Sequence, residues 1–156
     1  MKYKILEHPA ELRLRIYGKT IEELFINAAE ALMNTLKRDA QFKEVQPPQI
    51  NRQCLEVEPL NIKSIDINSL LVDFLSEILA KSQINKRVYK VIKLKVYKEK
   101  RFLEAGILGI PIERFDEDIK AVTYQDVDIQ QTEQIAKRKG QSVKTKLWQT
   151  DLVLDI

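Results

Sequence analysis

The chain has 156 residues, 44% of them hydrophobic and 31% charged, with 26 Lys or Arg against 23 Asp or Glu. That length suits one domain spanning 1–156, and the composition can fill a core and is that of a globular chain, not a disordered one. No run approaches the roughly 18 apolar residues that a membrane span needs, and a net charge of +3 permits a nucleic-acid partner without requiring one.

The first residues lead straight into an alternating pattern with no apolar signal-peptide segment. Cys54 is the single cysteine, which excludes an internal disulfide framework and a CxxC metal cluster. The expected compartment is therefore a reducing cytoplasm.

In chain order, residues 3–8 read as a first strand. Leu12, Arg13, Leu14, Arg15, Ile16 and Tyr17 alternate apolar with polar, the period of a half-buried second strand that Gly18 ends. Thr20 and Glu23 form a capping box ahead of Ile21, Leu24, Phe25, Ala28, Leu32 and Leu36, a helical stripe running to about Lys37. Gln46, Pro47, Pro48 and Gln49 mark a loop, and residues 55–58 a third strand. Asp66 or Asn68 caps a second helix, with Leu70, Leu71, Phe74, Leu75, Ile78 and Leu79 on its buried side. Residues 92–96 alternate and pair naturally with residues 102–108 across a charged turn near Glu99. Strands at 119–129 and 143–155 follow, with Lys137, Arg138, Lys139 and Gly140 as a connecting tip. This order predicts an α+β domain, an antiparallel β-sheet with two main helices packed on it.

Few groups suggest self-contained chemistry. Four glycines fall in no phosphate-cradling motif, and a single histidine excludes a His-based metal cluster. Cys54 and His8 could form a nucleophile pair, but a buried structural cysteine is the expectation. Lys93 and Lys95, and the tip Lys137 to Lys139, read as solvated faces, and Trp148 as core or interface. Two places stand out. One is His8-Pro9-Ala10-Glu11 between the first two strands. The other is the end of the apolar final strand, where Asp155 and the carboxylate of Ile156 put two anions together, as hard cations require.

These residues resemble the archease family over nearly the whole chain. His8-Pro9-Ala10-Glu11-Leu12 is similar to its His-Thr-Ala-Asp-Ile opening, and Tyr17 to Phe25 with Asn27-Ala28-Ala29 to its first helix. Lys120-Ala121-Val122-Thr123-Tyr124 matches its Lys-Ala-Val-Thr-Tyr signature, and Val153-Leu154-Asp155-Ile156 its terminal Val-Leu-Asp-Ile. The resemblance implies a non-catalytic accessory protein of the GTP-dependent RNA-splicing ligase, which joins tRNA halves and other RNAs with 2′,3′-cyclic phosphate and 5′-hydroxyl ends. Such a protein promotes guanylylation of the ligase and its multiple turnover. It also implies a divalent metal, Ca²⁺ or Mg²⁺, held by Glu11 and Asp155, with the Ile156 carboxylate as a further ligand. Lys120 is a candidate for docking the ligase, with a structural role as the alternative. RNA enters only indirectly, through the ligase, and no membrane is involved.

Four positions depart from the family pattern: Glu11 for Asp, Pro9 for Thr, Ile110 for Glu and Gln125 for His. The extra methylene of Glu11 shifts its oxygens outward, so weaker metal binding than in a typical archease is expected. Three other readings remain open. A small RNA-binding module needs Lys93, Lys95 and Lys137 to Lys139 to converge. A hydrolase needs a pocket around Glu11 and Asp155. A diverged archease-fold protein acts on some other partner.

Overall fold

The computed structural model describes residues 1–8, 11–38 and 56–156. The sequence readings at Pro9, Gln46 to Gln49, Cys54 and Leu55 lie outside the described residues. Eight strands and two main helices follow one another as β1 (Tyr3–His8), β2 (Glu11–Gly18), α1 (Ile21–Leu36), β3 (Val57–Lys63), α2 (Ile67–Asn85), β4 (Arg87–Tyr97), β5 (Phe102–Pro111), β6 (Ala121–Thr123), β7 (Gln130–Arg138) and β8 (Gln141–Asp155). All pairings are antiparallel, so the fold is α+β as the sequence implies.

The strands divide into two sheets. One runs β1-β2-β8-β6, with β7 also on β8, and the other runs β3-β5-β4. Helix α1 packs on both β2 and β4, and α2 reaches β3, β4, β5 and β6, so the two helices weld the sheets around one core. Leu24, Phe25, Leu32, Leu71, Phe74 and Ile78 are all fully buried in it. Phe25 meets Phe74 with ring centroids 6.1 Å apart, the tilted arrangement that aromatic quadrupoles favour. Met33 lies at the junction of both helices and β4, where its sulfur accepts hydrogen bonds from Ser82 Oγ (3.4 Å) and the Tyr89 amide (3.3 Å).

Local signals explain the helix ends. Thr20 Oγ1 accepts from the Glu23 amide at 3.1 Å, and Asp66 rather than Asn68 caps α2, accepting from the Ser69 amide at 2.7 Å. Gly18 joins β2 to α1 where a Cβ would come within 2.4 Å of the Leu24 nitrogen. Only glycine lets the helix start this close to the strand. Among the described residues, no helix is long and apolar enough to cross a membrane.

The strands differ from the sequence reading in several places; β4 starts at Arg87 rather than 92, β5 runs on to Pro111, and β8 starts at Gln141. The third strand begins at Val57 and runs on to Lys63. The expected strand over 119–129 is only Ala121–Thr123 long, because the chain turns at Asp126, whose φ of 60° is left-handed. The segment before the 137–140 tip is itself a strand, β7, which polarity on both faces concealed.

Asp73 on α2 ties the helix to the connection before it and to the turn after β6, accepting hydrogen bonds from the Ser64 and Tyr124 hydroxyls. That bond from the phenol, followed by partial desolvation and the nearby carboxylate charge, raises the Tyr124 pKa above its ordinary value.

Two outcomes follow from this packing. Phe74→Ala should lose roughly 3–5 kcal/mol in denaturant unfolding, from lost transfer energy plus the cavity left behind. Because Tyr124 has a raised folded pKa, its contribution to stability is present below the ordinary value near 10 and lost as pH climbs through the raised one. A spectrophotometric phenol titration should therefore show one tyrosine returning toward its ordinary range in Asp73→Asn, with the others unmoved.

Candidate metal centre

Alternation along β2 sends Leu12, Leu14 and Ile16 toward the helices, so Glu11, Arg13, Arg15 and Tyr17 occupy the opposite face. The register then decides what these polar groups meet. Strand β2 pairs with β8 so that Glu11 stands directly opposite Asp155, Arg13 opposite Val153 and Arg15 opposite Asp151. On the far side of β8, Ala121 of β6 is the partner of Asp155. On the near side, His8 of β1 is the register partner of Glu11.

Glu11 and Asp155 are thus a directly opposed pair of like charges, an arrangement that destabilises an antiparallel sheet by itself. Neighbouring cations do not relieve it. Arg15 forks onto Asp151 with bonds of 2.8 and 3.3 Å, and Arg13 pairs with Asp126 at 2.8 Å. Glu11 Oε2 is buried and makes no hydrogen bond among the described residues. Burying a polar atom without a partner costs on the order of 1–3 kcal/mol, and more when the group is charged. Asp155, in contrast, is exposed. Carboxylate oxygens are the donors that hard divalent cations take, and this pair offers part of the roughly six to eight oxygens that such an ion needs.

Lys120 is held at this end of the sheet by its backbone, whose amide donates to the Asp155 carbonyl at 2.7 Å. Its side chain is exposed and forms no ion pair among the described residues. Ile156 follows β8 immediately and lines a cleft of about 340 Å³ with Tyr3, Ile5, Leu12, Asn34 and Arg38. Neither Glu11 nor Asp155 lines that cleft. Among the described residues no three His, Cys, Asp or Glu side chains converge, so no third side-chain ligand joins the pair.

The other singled-out residues separate in space. Ile110 lies on β5 opposite Val88 and packs with Leu108 and Ile92, not on the strands bearing Glu11 and Asp155. Gln125 is exposed on the turn after β6, its amide donating to Thr123 Oγ1 at 3.3 Å. Lys93 lays its stem across Gly106, and Lys95 stands opposite Glu104 with its ammonium 5.1 Å from the Tyr97 ring centroid. Both belong to the three-stranded sheet, whereas Lys137 to Lys139 are at the far tip of β7 and β8, on the other sheet. The lysines that the RNA-module reading required on one face are thus carried by two different sheets. Sequence reasoning missed Arg13 and Arg15 as residues whose engagement elsewhere leaves the pair uncompensated. Their alternation with leucines was visible, but their partners depend on register.

Comparison with known proteins agrees with this architecture. The Archease protein family (MTH1598/TM1083) matches residues 3–156. Protein archease of Methanosarcina mazei is 32% identical over 138 residues, covering 84% of this chain and 88% of the relative. Protein archease of Thermococcus kodakarensis is 30% identical over 135 residues, covering 83% and 88%. The solution structure of Methanobacterium thermoautotrophicum protein 1598 superposes with a TM-score of 0.67 at 23% identity, covering 99% of this chain and 98% of that one, a likeness of fold. With a family match from end to end and relatives above 30% identity, the chain belongs to the archease family.

Proposed function

We propose that this protein is a metal-binding accessory factor that activates a GTP-dependent RNA-splicing ligase, promoting its guanylylation and repeated turnover without joining RNA itself. Family membership supports the coarser part of this reading, an accessory role in RNA processing. The finer part rests on one observation, the buried and unpartnered Glu11 Oε2 directly across the sheet from Asp155.

In this reading Glu11 and Asp155 hold Ca²⁺ or Mg²⁺ between them, with the Ile156 carboxylate as a further oxygen ligand. When bound, the cation supplies positive charge against the phosphate oxygens of GTP. The chain's own contribution is rigidity. Strands β2 and β6 clamp Asp155 from both sides, and the Lys120 amide fixes its carbonyl. The carboxylates therefore meet the ligase already positioned, and little ordering cost remains at docking. Burial of Glu11 Oε2 keeps water from that oxygen, which strengthens its hold on a cation. The exposed Lys120 side chain is placed to meet the partner beside the site.

Calorimetric titration with Ca²⁺ and Mg²⁺ should show binding to the native protein and none to Asp155→Ala. Glu11→Asp should bind as well or better, since the shorter side chain restores the family pattern. Equal binding by native protein and Asp155→Ala would remove the metal from the account. Mixed with the ligase of its own organism, GTP and metal, the native protein should accelerate formation of the ligase–GMP adduct, and Asp155→Ala should not. An unchanged rate at protein well above ligase would leave an archease-family protein serving another partner.

A further inference from the structure

The hairpin of β7 and β8 departs from the rest of the molecule in charge and in setting. Strand β2 covers β8 only from Trp148 to Asp155, so β8 from 141 to 147 is paired with β7 alone among the described strands. Every residue from 133 to 146 is exposed. The result is a two-stranded ribbon standing clear of the core, closed by Lys139 and Gly140, both at positive φ (52° and 76°). That is the backbone of a tight two-residue turn whose twist matches the strands.

Residues 130–148 carry five cations, Lys137, Arg138, Lys139, Lys144 and Lys146, and one acid, Glu133. The remaining residues carry 21 Lys or Arg against 22 Asp or Glu, so the positive charge of the whole chain resides in this arm. None of the five cations forms an ion pair among the described residues. Surface lysines are ordinarily interspersed with acids, and here five cations share the ribbon with one acid, Glu133, directly opposite Lys146.

The register also sorts them. Lys137 is opposite Ser142, Ile135 opposite Lys144, Glu133 opposite Lys146 and Gln131 opposite Trp148. Lys137, Lys144, Lys146 and Trp148 therefore share one face of the ribbon, with Glu133 as its single acid. At its root the Lys98 ammonium lies 4.8 Å from the centre of the Trp148 ring, adding a fourth cation from the other sheet. Lys144 and Lys146 are two residues apart on one strand, a rise of about 6.8 Å. That is commensurate with successive phosphates along an extended single strand. A file of cations ending on an aromatic ring with a cation over it is the pattern by which proteins hold single-stranded nucleic acid, phosphates on lysines and a base against the ring.

We propose that the β7–β8 ribbon is a direct binding arm for single-stranded RNA, independent of sequence, with Lys137, Lys144, Lys146 and Lys98 on the phosphates and Trp148 against a base. This stands on the ribbon alone and holds whether or not Glu11 and Asp155 take a metal.

The test is fluorescence anisotropy of a labelled single-stranded oligouridylate titrated with the full chain at several salt concentrations. Binding should appear with a slope of log K against log salt of about −3, as four phosphate contacts on a single strand give. Lys144→Glu with Lys146→Glu should weaken binding at moderate salt by at least about tenfold, while Lys144→Arg with Lys146→Arg should retain it. Asp155→Ala should bind RNA like the native protein, which separates this arm from the proposed metal site. The proposal is overturned if the native chain shows no salt-dependent RNA binding, or if the arginine pair loses affinity as fully as the glutamate pair. It is equally overturned if charge reversal abolishes binding to the purified ligase while RNA affinity is unchanged, for the arm would then be a protein-docking surface.

Discussion

The pairing of β2 with β8 is the constraint on which the rest of the structure depends. It joins residues 11–18 to residues 148–155, almost the full length of the chain apart. The loop entropy that this closure costs must be offset by the core that it completes. Leu14 and Leu152, opposed in the register, are both fully buried against the helices, so a slip by one residue would expose both. The same register sets the outer face. Once Leu14 faces Leu152, Arg15 must face Asp151 and Glu11 must face Asp155. The carboxylate pair is therefore locked by hydrophobic burial on the reverse side of the same strands, and the sheet cannot relax it by sliding.

This explains how a sheet tolerates two opposed carboxylates. The unfavourable pair is a small cost against a core holding most of two helices and both sheets. Local strain of this kind persists where the surroundings over-determine it, and it is a reason to look for a ligand there. The two arginines that alternation brings to the same face are consumed by Asp126 and Asp151, so the sheet keeps its internal ion pairs separate from the pair at its end. The arm and the carboxylates are at opposite ends of one strand. From Gln141 to Asp155, β8 spans on the order of 45–50 Å at ordinary strand rise. A single strand thus carries a cationic end and an anionic end.

Much of the fold was legible in the sequence because amphipathic periodicity reports burial directly. The stripes beginning at Ile21 and Ile67 and the alternation of residues 12–17 and 92–96 each face the common core and became the expected elements. Strand β7 escaped because both of its faces meet solvent, which leaves no alternation to read. The break after Thr123 escaped because a left-handed aspartate at 126 looks like any other polar residue in sequence. Family resemblance singled out Glu11 and Asp155, but their direct opposition is a matter of long-range register. The orphaned Glu11 oxygen is a matter of packing, and neither is written in local pattern. The ribbon's charge was visible at Lys137 to Lys139, but that Lys144 and Lys146 share a face with Lys137 and Trp148, and that Lys98 reaches the Trp148 ring, depends on register and packing.

The central claim is that the opposed carboxylates exist to hold a cation, and its most direct measurement is a crystal structure of the protein grown with calcium. The account predicts a single ion coordinated by Glu11 Oε2 and the Asp155 carboxylate, with oxygen distances of about 2.3–2.6 Å. Carboxylates turned away from each other, with water or the Lys120 ammonium between them and no ion, would contradict it.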